Sequence, residues 1–119
     1  MRNISFSMTT DQILNQFKTV TRRLGWKFLK VGDVLQPIEK GQGLKKGEKV
    51  KRIGPPIRVV DVRREALMAI SYQDILREGF TFDRLAFIEM FCKANKCNPH
   101  TIITRIEFEY LNATTRSEQ

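Results

Sequence analysis

Ile4-Ser5-Phe6-Ser7-Met8 alternates apolar and polar residues, the period of a half-buried strand, and predicts that the chain opens with a β-strand. Thr9-Thr10-Asp11 then offers capping oxygens and an early negative charge. Ile13, Leu14 and Phe17 follow at helical spacing, so a short helix comes next. Leu24-Gly25-Trp26-Lys27-Phe28-Leu29 anchors the following stretch with large apolar groups, and the lone Trp26 between apolar neighbours reads as core rather than as a base-stacking platform. Val31-Gly32-Asp33 reads as a turn into the strand Val34-Leu35-Gln36-Pro37-Ile38, which Pro37 assigns to a sheet edge. Ile57 to Arg64 is rich in β-branched residues and follows Pro55-Pro56, predicting another strand.

The pattern changes period after an ambiguous stretch from Glu65 to Ile70. Ser71 is followed three residues later by Asp74, a capping signature for a short helix ending near Gly79. Thr81-Phe82-Asp83 begins a longer helix that runs to about Asn95, with Leu85, Ile88 and Cys92 as its apolar stripe and Phe91 beside it. Ile102, Thr104, Ile106, Phe108 and Tyr110 alternate with Ile103, Arg105, Glu107 and Glu109, the clearest strand in the chain, and a polar, frayed tail is expected after Asn112. A chain of 119 residues suits one domain with a modest core.

Charge adds a partner class to this outline. Twenty-one Lys plus Arg stand against 13 Asp plus Glu, a net charge of +8, which favours an anionic partner such as nucleic acid or a nucleotide. Six cations and three internal glycines crowd between Glu39 and Gly54, where Lys45, Lys46, Lys49, Lys51 and Arg52 are candidates for neutralising phosphates; the alternative is a solvated surface run on a mobile hairpin or lobe. The glycines lack the spacing and the strand-to-helix setting of a dinucleotide fingerprint or a phosphate-binding loop. No apolar run approaches the roughly 20 residues of a membrane span, and Met1-Arg2-Asn3 leads straight into the first strand without a signal region. The expectation is a cytoplasmic protein with reduced cysteines and no membrane partner.

The densest chemistry lies in Lys18-Thr19-Val20-Thr21-Arg22-Arg23, three cations and two hydroxyls in six residues. A hydroxyl becomes a useful nucleophile when a base removes its proton, and an amine is that base only when its pKa is lowered. Bringing a lysine from about 10.4 to near 7 requires disfavouring its charged form by roughly 4 to 5 kcal/mol, and Arg22 and Arg23 push that way. Residues three apart on a regular strand face opposite sides, so cooperation between Lys18 and Thr21 predicts a loop here; the competing reading is an edge strand with solvated charges. Glu78, where the two later helices meet, is placed to face a cleft or to be a surface acid at a helix end. Cys92, Cys97 and His100 form C-x4-C-x2-H, but a structural zinc site ordinarily takes four ligands, so no metal is expected. His100, the only histidine, has no triad partner in sequence and reads as a surface turn residue.

Taken together, the Lys-Thr-x-Thr-x-Arg segment (Lys18, Thr19, Thr21, Arg23), the Gly32-Asp33 turn, Glu78-Gly79-Phe80 before the long helix and the closing strand from Thr104 to Leu111 resemble the ASCH domain, a small relative of the PUA RNA-binding fold. The basic insert around Gly43-Leu44 is unmatched in general ASCH members, and more narrowly the chain looks like the small ASCH proteins of phages and prophages. The resemblance implies a single-domain α+β, PUA-like (ASCH) β-barrel with packed helices over residues 1–112, followed by a polar tail at 113–119. One ASCH branch, the bacterial N(4)-acetylcytidine amidohydrolases, uses a Lys, Thr and Glu set whose positions match Lys18, Thr21 and Glu78. By that likeness Lys18 deprotonates Thr21, Thr21 attacks the amide carbonyl, and Glu78 carries a proton to the leaving amine, with no cofactor. Other ASCH proteins imply a non-catalytic reader of RNA or modified nucleic acid, or a nuclease, so the fold leaves the choice open. A nucleoside or RNA is the expected partner, with Arg22, Arg23, Lys45, Lys46, Lys49, Lys51 and Arg52 as nucleic-acid-binding residues.

Overall fold

A computed structural model describes residues 1–112; the expected polar tail at 113–119 lies outside the described residues. In chain order the elements are β1 (Arg2–Ser5), α1 (Thr10–Leu14), β2 (Val20–Arg23), β3 (Val34–Ile38), β4 (Ile57–Ala66), a short 3₁₀ turn (Leu67–Ala69), α2 (Tyr72–Arg77), α3 (Arg84–Asn95) and β5 (Ile102–Tyr110). The strands form one mixed sheet in the order β1-β3-β4-β5-β2. Its spine is the long antiparallel pair of β4 and β5, whose register shifts between Val59 and Asp61; such a bulge sharpens the local twist. β1 lies parallel to β3, and β2 antiparallel to β5.

The sheet does not close into the expected barrel, because β1 and β2 remain its two unpaired edges. They nevertheless approach one another. Arg23 Nη2 of β2 donates to the Ser5 carbonyl of β1 at 2.6 Å, and the same guanidinium lies 4.8 Å from the centre of the Phe6 ring. A side chain therefore fills the space that a main-chain ladder, with strands about 4.8 Å apart, would need. The result is a curled sheet with an open seam.

Two apolar clusters support the sheet. Phe6, Ile13, Leu35, Ile57, Ile106 and Phe108 belong to one, while Leu67, Ile70, Ile75, Phe87, Phe91 and Ile103 form the other beneath α2 and α3. The α3 stripe differs from the expected one: Phe87, Ile88 and Phe91 are buried, whereas Leu85 is 74% exposed. Phe87 and Phe91, four residues apart on one face, offer the larger apolar area, and the helix turns that face inward. Only Ile13 of the first helix is buried, because α1 ends at Leu14 and leaves Phe17 exposed. Trp26 is half-buried against the first cluster.

Pro37 is not on an edge strand, since β3 lies between β1 and β4. Pairing of β3 with β4 stops at Leu35, so no β4 residue asks Pro37 for an N–H, and its carbonyl accepts from Ile53 at 3.0 Å instead. Between Glu39 and Lys51 the chain forms no regular element, and Ile53 returns it to the core. No helix among the described residues is long and apolar enough to cross a membrane.

Candidate functional site: a charged cleft in the seam

The Lys18–Arg23 segment is neither the loop nor the solvated edge that its sequence suggested. Val20–Arg23 is an edge strand, and Lys18, Thr21 and Arg22 are buried within it or just before it. Two anchors set its entry: Tyr110 Oη donates to the Lys18 carbonyl at 2.5 Å, and the Thr19 N–H donates to the Arg77 carbonyl at 2.8 Å. The second bond ties β2 to the end of α2, and that end carries Glu78. Ser71 caps α2 by accepting from the Asp74 N–H, and Glu78 closes it, its N–H donating to the Asp74 carbonyl at 2.8 Å. Gly79 then adopts φ +96, a conformation that L side chains rarely take, and the chain turns away so that Glu78 stays inside.

Lys18 and Glu78 meet despite 60 residues of separation. Lys18 Nζ donates to Glu78 Oε1 at 2.7 Å and to the Glu78 carbonyl at 2.6 Å, with both side chains about 3–4% exposed. The Phe80 and Phe6 rings stand 5.7 and 6.0 Å from the ammonium. Burial pushes the Lys18 pKa below its ordinary value; the Glu78 carboxylate opposes that shift, while Arg23 and Arg22 add to it. Removal from water, more than the neighbouring arginines, is thus what makes this lysine a candidate base. Burial also lowers Arg23, to about 10, against the pull of Glu78.

Lys18, Thr21, Arg22, Arg23 and Glu78 line one cleft of about 260 Å³ in the seam, with apolar walls that include Phe6, Met8, Phe80, Phe87 and Phe91. Thr21 Oγ1 accepts from Arg23 Nε at 3.1 Å, whereas the Lys18 ammonium is turned to Glu78, so the lysine and the threonine share the cleft without sharing a hydrogen bond.

Behind the cleft Arg22 is joined by Glu65, Asp74 and Arg105, which sequence reasoning did not place at the site. Arg22 Nη2 donates to Glu65 Oε2 and to Asp74 Oδ2, both at 2.7 Å. Arg105 grips the same Asp74 with two bonds, Nε to Oδ2 at 2.7 Å and Nη2 to Oδ1 at 3.0 Å. Burial alone would raise the Asp74 carboxyl, but the hydrogen bonds and charges of Arg105 and Arg22 outweigh it and hold it well below the usual carboxylate range. Those bonds to Asp74 in turn push Arg105 up. Three buried side-chain atoms among the described residues have no hydrogen-bond partner: Arg22 Nε, Arg22 Nη1 and Glu78 Oε2.

The other candidates lie elsewhere. Lys45, Lys46, Lys49, Lys51 and Arg52 are exposed on the irregular segment and do not line the cleft. A second groove, of about 560 Å³, runs from Ser5 and Ser7, which it shares with the cleft, past Trp26 to Lys40 and Val50 at the base of that segment. Cys92 and Cys97 are half-buried neighbours, and burial and Cys97 push the Cys92 thiol up. His100 is exposed in a turn, where its N–H donates to Asn98 Oδ1. Among the described residues no three His, Cys, Asp or Glu side chains gather as a metal site.

No protein-family model and no curated protein matches this chain. Solved structures do share its fold. A crystal structure of an Enterococcus faecalis V583 protein of the DUF984 family superposes with a TM-score of 0.60 at 17% identity, covering 94% of this chain and 72% of that one. An ASCH domain from Lactobacillus crispatus JV V101 superposes with a TM-score of 0.57 at 13% identity, covering 92% and 78% of the two chains.

Proposed function

From an ASCH-type fold whose open seam buries a lysine against a glutamate, we propose that the chain is an amidohydrolase of N(4)-acylated cytidine, with Thr21 as nucleophile. The observation that carries this reading is the desolvated Lys18–Glu78 pair in the same small cleft as the Thr21 hydroxyl. The cleft is slightly smaller than the roughly 300–1,000 Å³ of ordinary ligand sites, a size that suits one base and its acyl group better than a folded RNA segment.

In this reading one proton passes from Lys18 to Glu78 across their hydrogen bond. With that proton on Glu78, Lys18 is a free amine and can take the Thr21 Oγ1 proton as the oxygen attacks the acyl carbon. Collapse of the tetrahedral intermediate breaks the bond from carbon to N4, Glu78 gives its proton to the departing N4, and cytidine leaves an acylated Thr21. Water, deprotonated by the same pair, then releases the acid and restores the hydroxyl. Lys18 has to turn from Glu78 toward Thr21 when substrate enters, in keeping with the loose catalytic hydrogen bonds common in unliganded sites. A second reading, a non-catalytic reader of RNA, draws support from the groove that leads over Ser5 and Ser7 toward the basic segment.

Turnover of N(4)-acetylcytidine separates the two. As an enzyme, the protein loses activity in Thr21→Ala, keeps part of it in Thr21→Ser, and is damaged nearly as much by Lys18→Arg as by Lys18→Ala, because a guanidinium retains charge but is no base near neutral pH. As a reader, it tolerates Lys18→Arg and loses about one hydrogen bond, roughly 0.5 to 1.5 kcal/mol of binding, in Thr21→Ala. Absence of turnover by the unsubstituted protein, with binding that survives Lys18→Arg, overturns the hydrolase reading.

A further inference from the structure

The three unpartnered atoms of the seam form a pattern. Arg22 and Glu78 are 1% and 4% exposed in their side chains, and Arg22 Nη1 stands 3.5 Å from Glu78 Oε2, close enough for charge attraction but not for a hydrogen bond. Each residue is hydrogen-bonded on one side and lacks a hydrogen-bond partner on the other. Asp74 and Glu65 occupy Arg22 Nη2, leaving Nε and Nη1; Lys18 occupies Glu78 Oε1, leaving Oε2. A buried polar atom without a partner is destabilising, so three together, on two residues that line the cleft, mark atoms that a ligand completes.

The ligand chemistry follows from the signs. A phosphate or carboxylate would satisfy Arg22 while setting a negative charge against Glu78, and an ammonium would do the reverse. The complement of a fixed donor beside a fixed acceptor is a neutral edge with an acceptor next to an N–H. We propose that Arg22 and Glu78 read the base edge of the ligand, Arg22 donating to N3 of cytosine and Glu78 Oε2 accepting from the N4–H. Arg22 is then a specificity-determining residue, fixed by Asp74 and Glu65 and outside the Lys-Thr-Glu set. The same contact brings Glu78 to the nitrogen that departs. This inference rests on reading the seam as a nucleoside site.

The test is binding of three nucleosides to Thr21→Ala protein, which cannot consume them by the proposed route. The ligands are N(4)-acetylcytidine, its 3-deaza analogue, which lacks the ring acceptor, and its N4-methyl derivative, which lacks the N–H. Each analogue is expected to bind roughly ten- to a hundredfold more weakly than the parent, the range for a lost hydrogen bond to a charged group. Arg22→Lys, introduced into the same protein, weakens the parent and removes the further loss on 3-deaza substitution, while the N4-methyl penalty persists. Should Arg22→Lys fail to fold, the analogues with native Arg22 decide alone. Equal affinity for parent and analogues, or no binding of any of them, overturns the inference. Turnover by the unsubstituted protein is scored separately: analogue penalties without turnover sink the hydrolase and keep the base-edge reading, and turnover without penalties does the opposite.

Discussion

Two groups of cations in the chain differ in kind. In the seam, Lys18, Arg22 and Arg105 are almost wholly buried, and their main partners are the carboxylates of Glu78, Glu65 and Asp74. In the segment from Glu39 to Arg52 the cations stand in water; the Lys51 side chain is 72% exposed, and its ion pair with Glu39 is a loose 3.8 Å. Burial fixes geometry and shifts proton affinities, so the seam can do chemistry on a specific atom. Exposure leaves flexible charges that act through long-range, salt-screened attraction. The same residue types thus serve recognition at two ranges.

The largest effect that separates the regions is on stability. Asp74→Ala strands Arg22 and Arg105 as buried charges with their common partner gone, a loss of about 3 to 5 kcal/mol by the usual magnitude for a broken buried pair. Urea unfolding at pH 7 reads it directly. The pH dependence follows from the sign of the shift. Asp74 has its pKa depressed in the folded state, so the unfolded chain takes up this proton first as pH falls. Its stabilisation is complete above about pH 4, near the unfolded carboxylate value, and drains away as pH falls toward the lower folded value. The acid limb of stability should therefore be shallower in Asp74→Asn than in the unsubstituted chain. Limbs of equal slope would show that the network contributes nothing to acid lability.

A smaller effect tests the turn that delivers Glu78. A Cβ on Gly79 would lie 2.7 Å from Cγ and 3.0 Å from Cβ of Gln12, at φ +96; Gly32 has the same φ with open space around it. Gly32→Ala should lose only the backbone term, about 1 to 2 kcal/mol, and Gly79→Ala should lose more. Gly79→Ala should also impair the cleft, because displacing Gln12 or the turn moves Glu78, while Gly32→Ala leaves the cleft as it is. Thermal unfolding of both variants, with nucleoside binding measured alongside, gives the comparison. Equal losses with equal binding would mean that Gln12 simply yields.

What the sequence disclosed of the two regions was uneven, for physical reasons. Apart from β2, which read as a loop, the strands and helices were legible as elements, because period and capping are local signals; Ser71 and Asp83 cap α2 and α3. Lys18, Thr21 and Glu78 were visible as types at motif spacing, but their burial was not. An Arg-Arg pair on an edge strand reads as solvated until α2 is known to lie over it. Arg105 and Asp74 escaped for a related reason. Arg105 falls on the polar phase of β5, and Asp74 was accounted for as a helix-cap acid; in the folded chain only its N–H serves the cap, while its carboxylate crosses to two arginines. The available hint was Ile103, an apolar residue on that same polar phase, which marks a strand covered on both faces. The open seam was illegible, since closure of a barrel depends on which side chains fill the gap between strands distant in sequence.

The smallest expected effect on stability belongs to the basic segment. Lys45, Lys46 and Lys49 are exposed, and Lys45 bonds Glu48 only through its backbone N–H and carbonyl, so replacing all three by Gln should change folding stability by less than about 0.5 kcal/mol each. Their role shows only with a polyanion. If RNA runs from the cleft over Ser5 and Ser7 toward this segment, its affinity should fall with salt by a log-log slope of roughly 0.7 to 0.9 per phosphate contacted, and the triple substitution should remove up to three contacts' worth of that slope. Nucleoside binding in the seam should stay the same, because none of the three lysines reaches it. A flattened slope with unchanged nucleoside affinity would establish two separable surfaces, one reading phosphates and one reading a base. An unchanged slope would assign the segment to solvent and leave the seam as the working site of the chain.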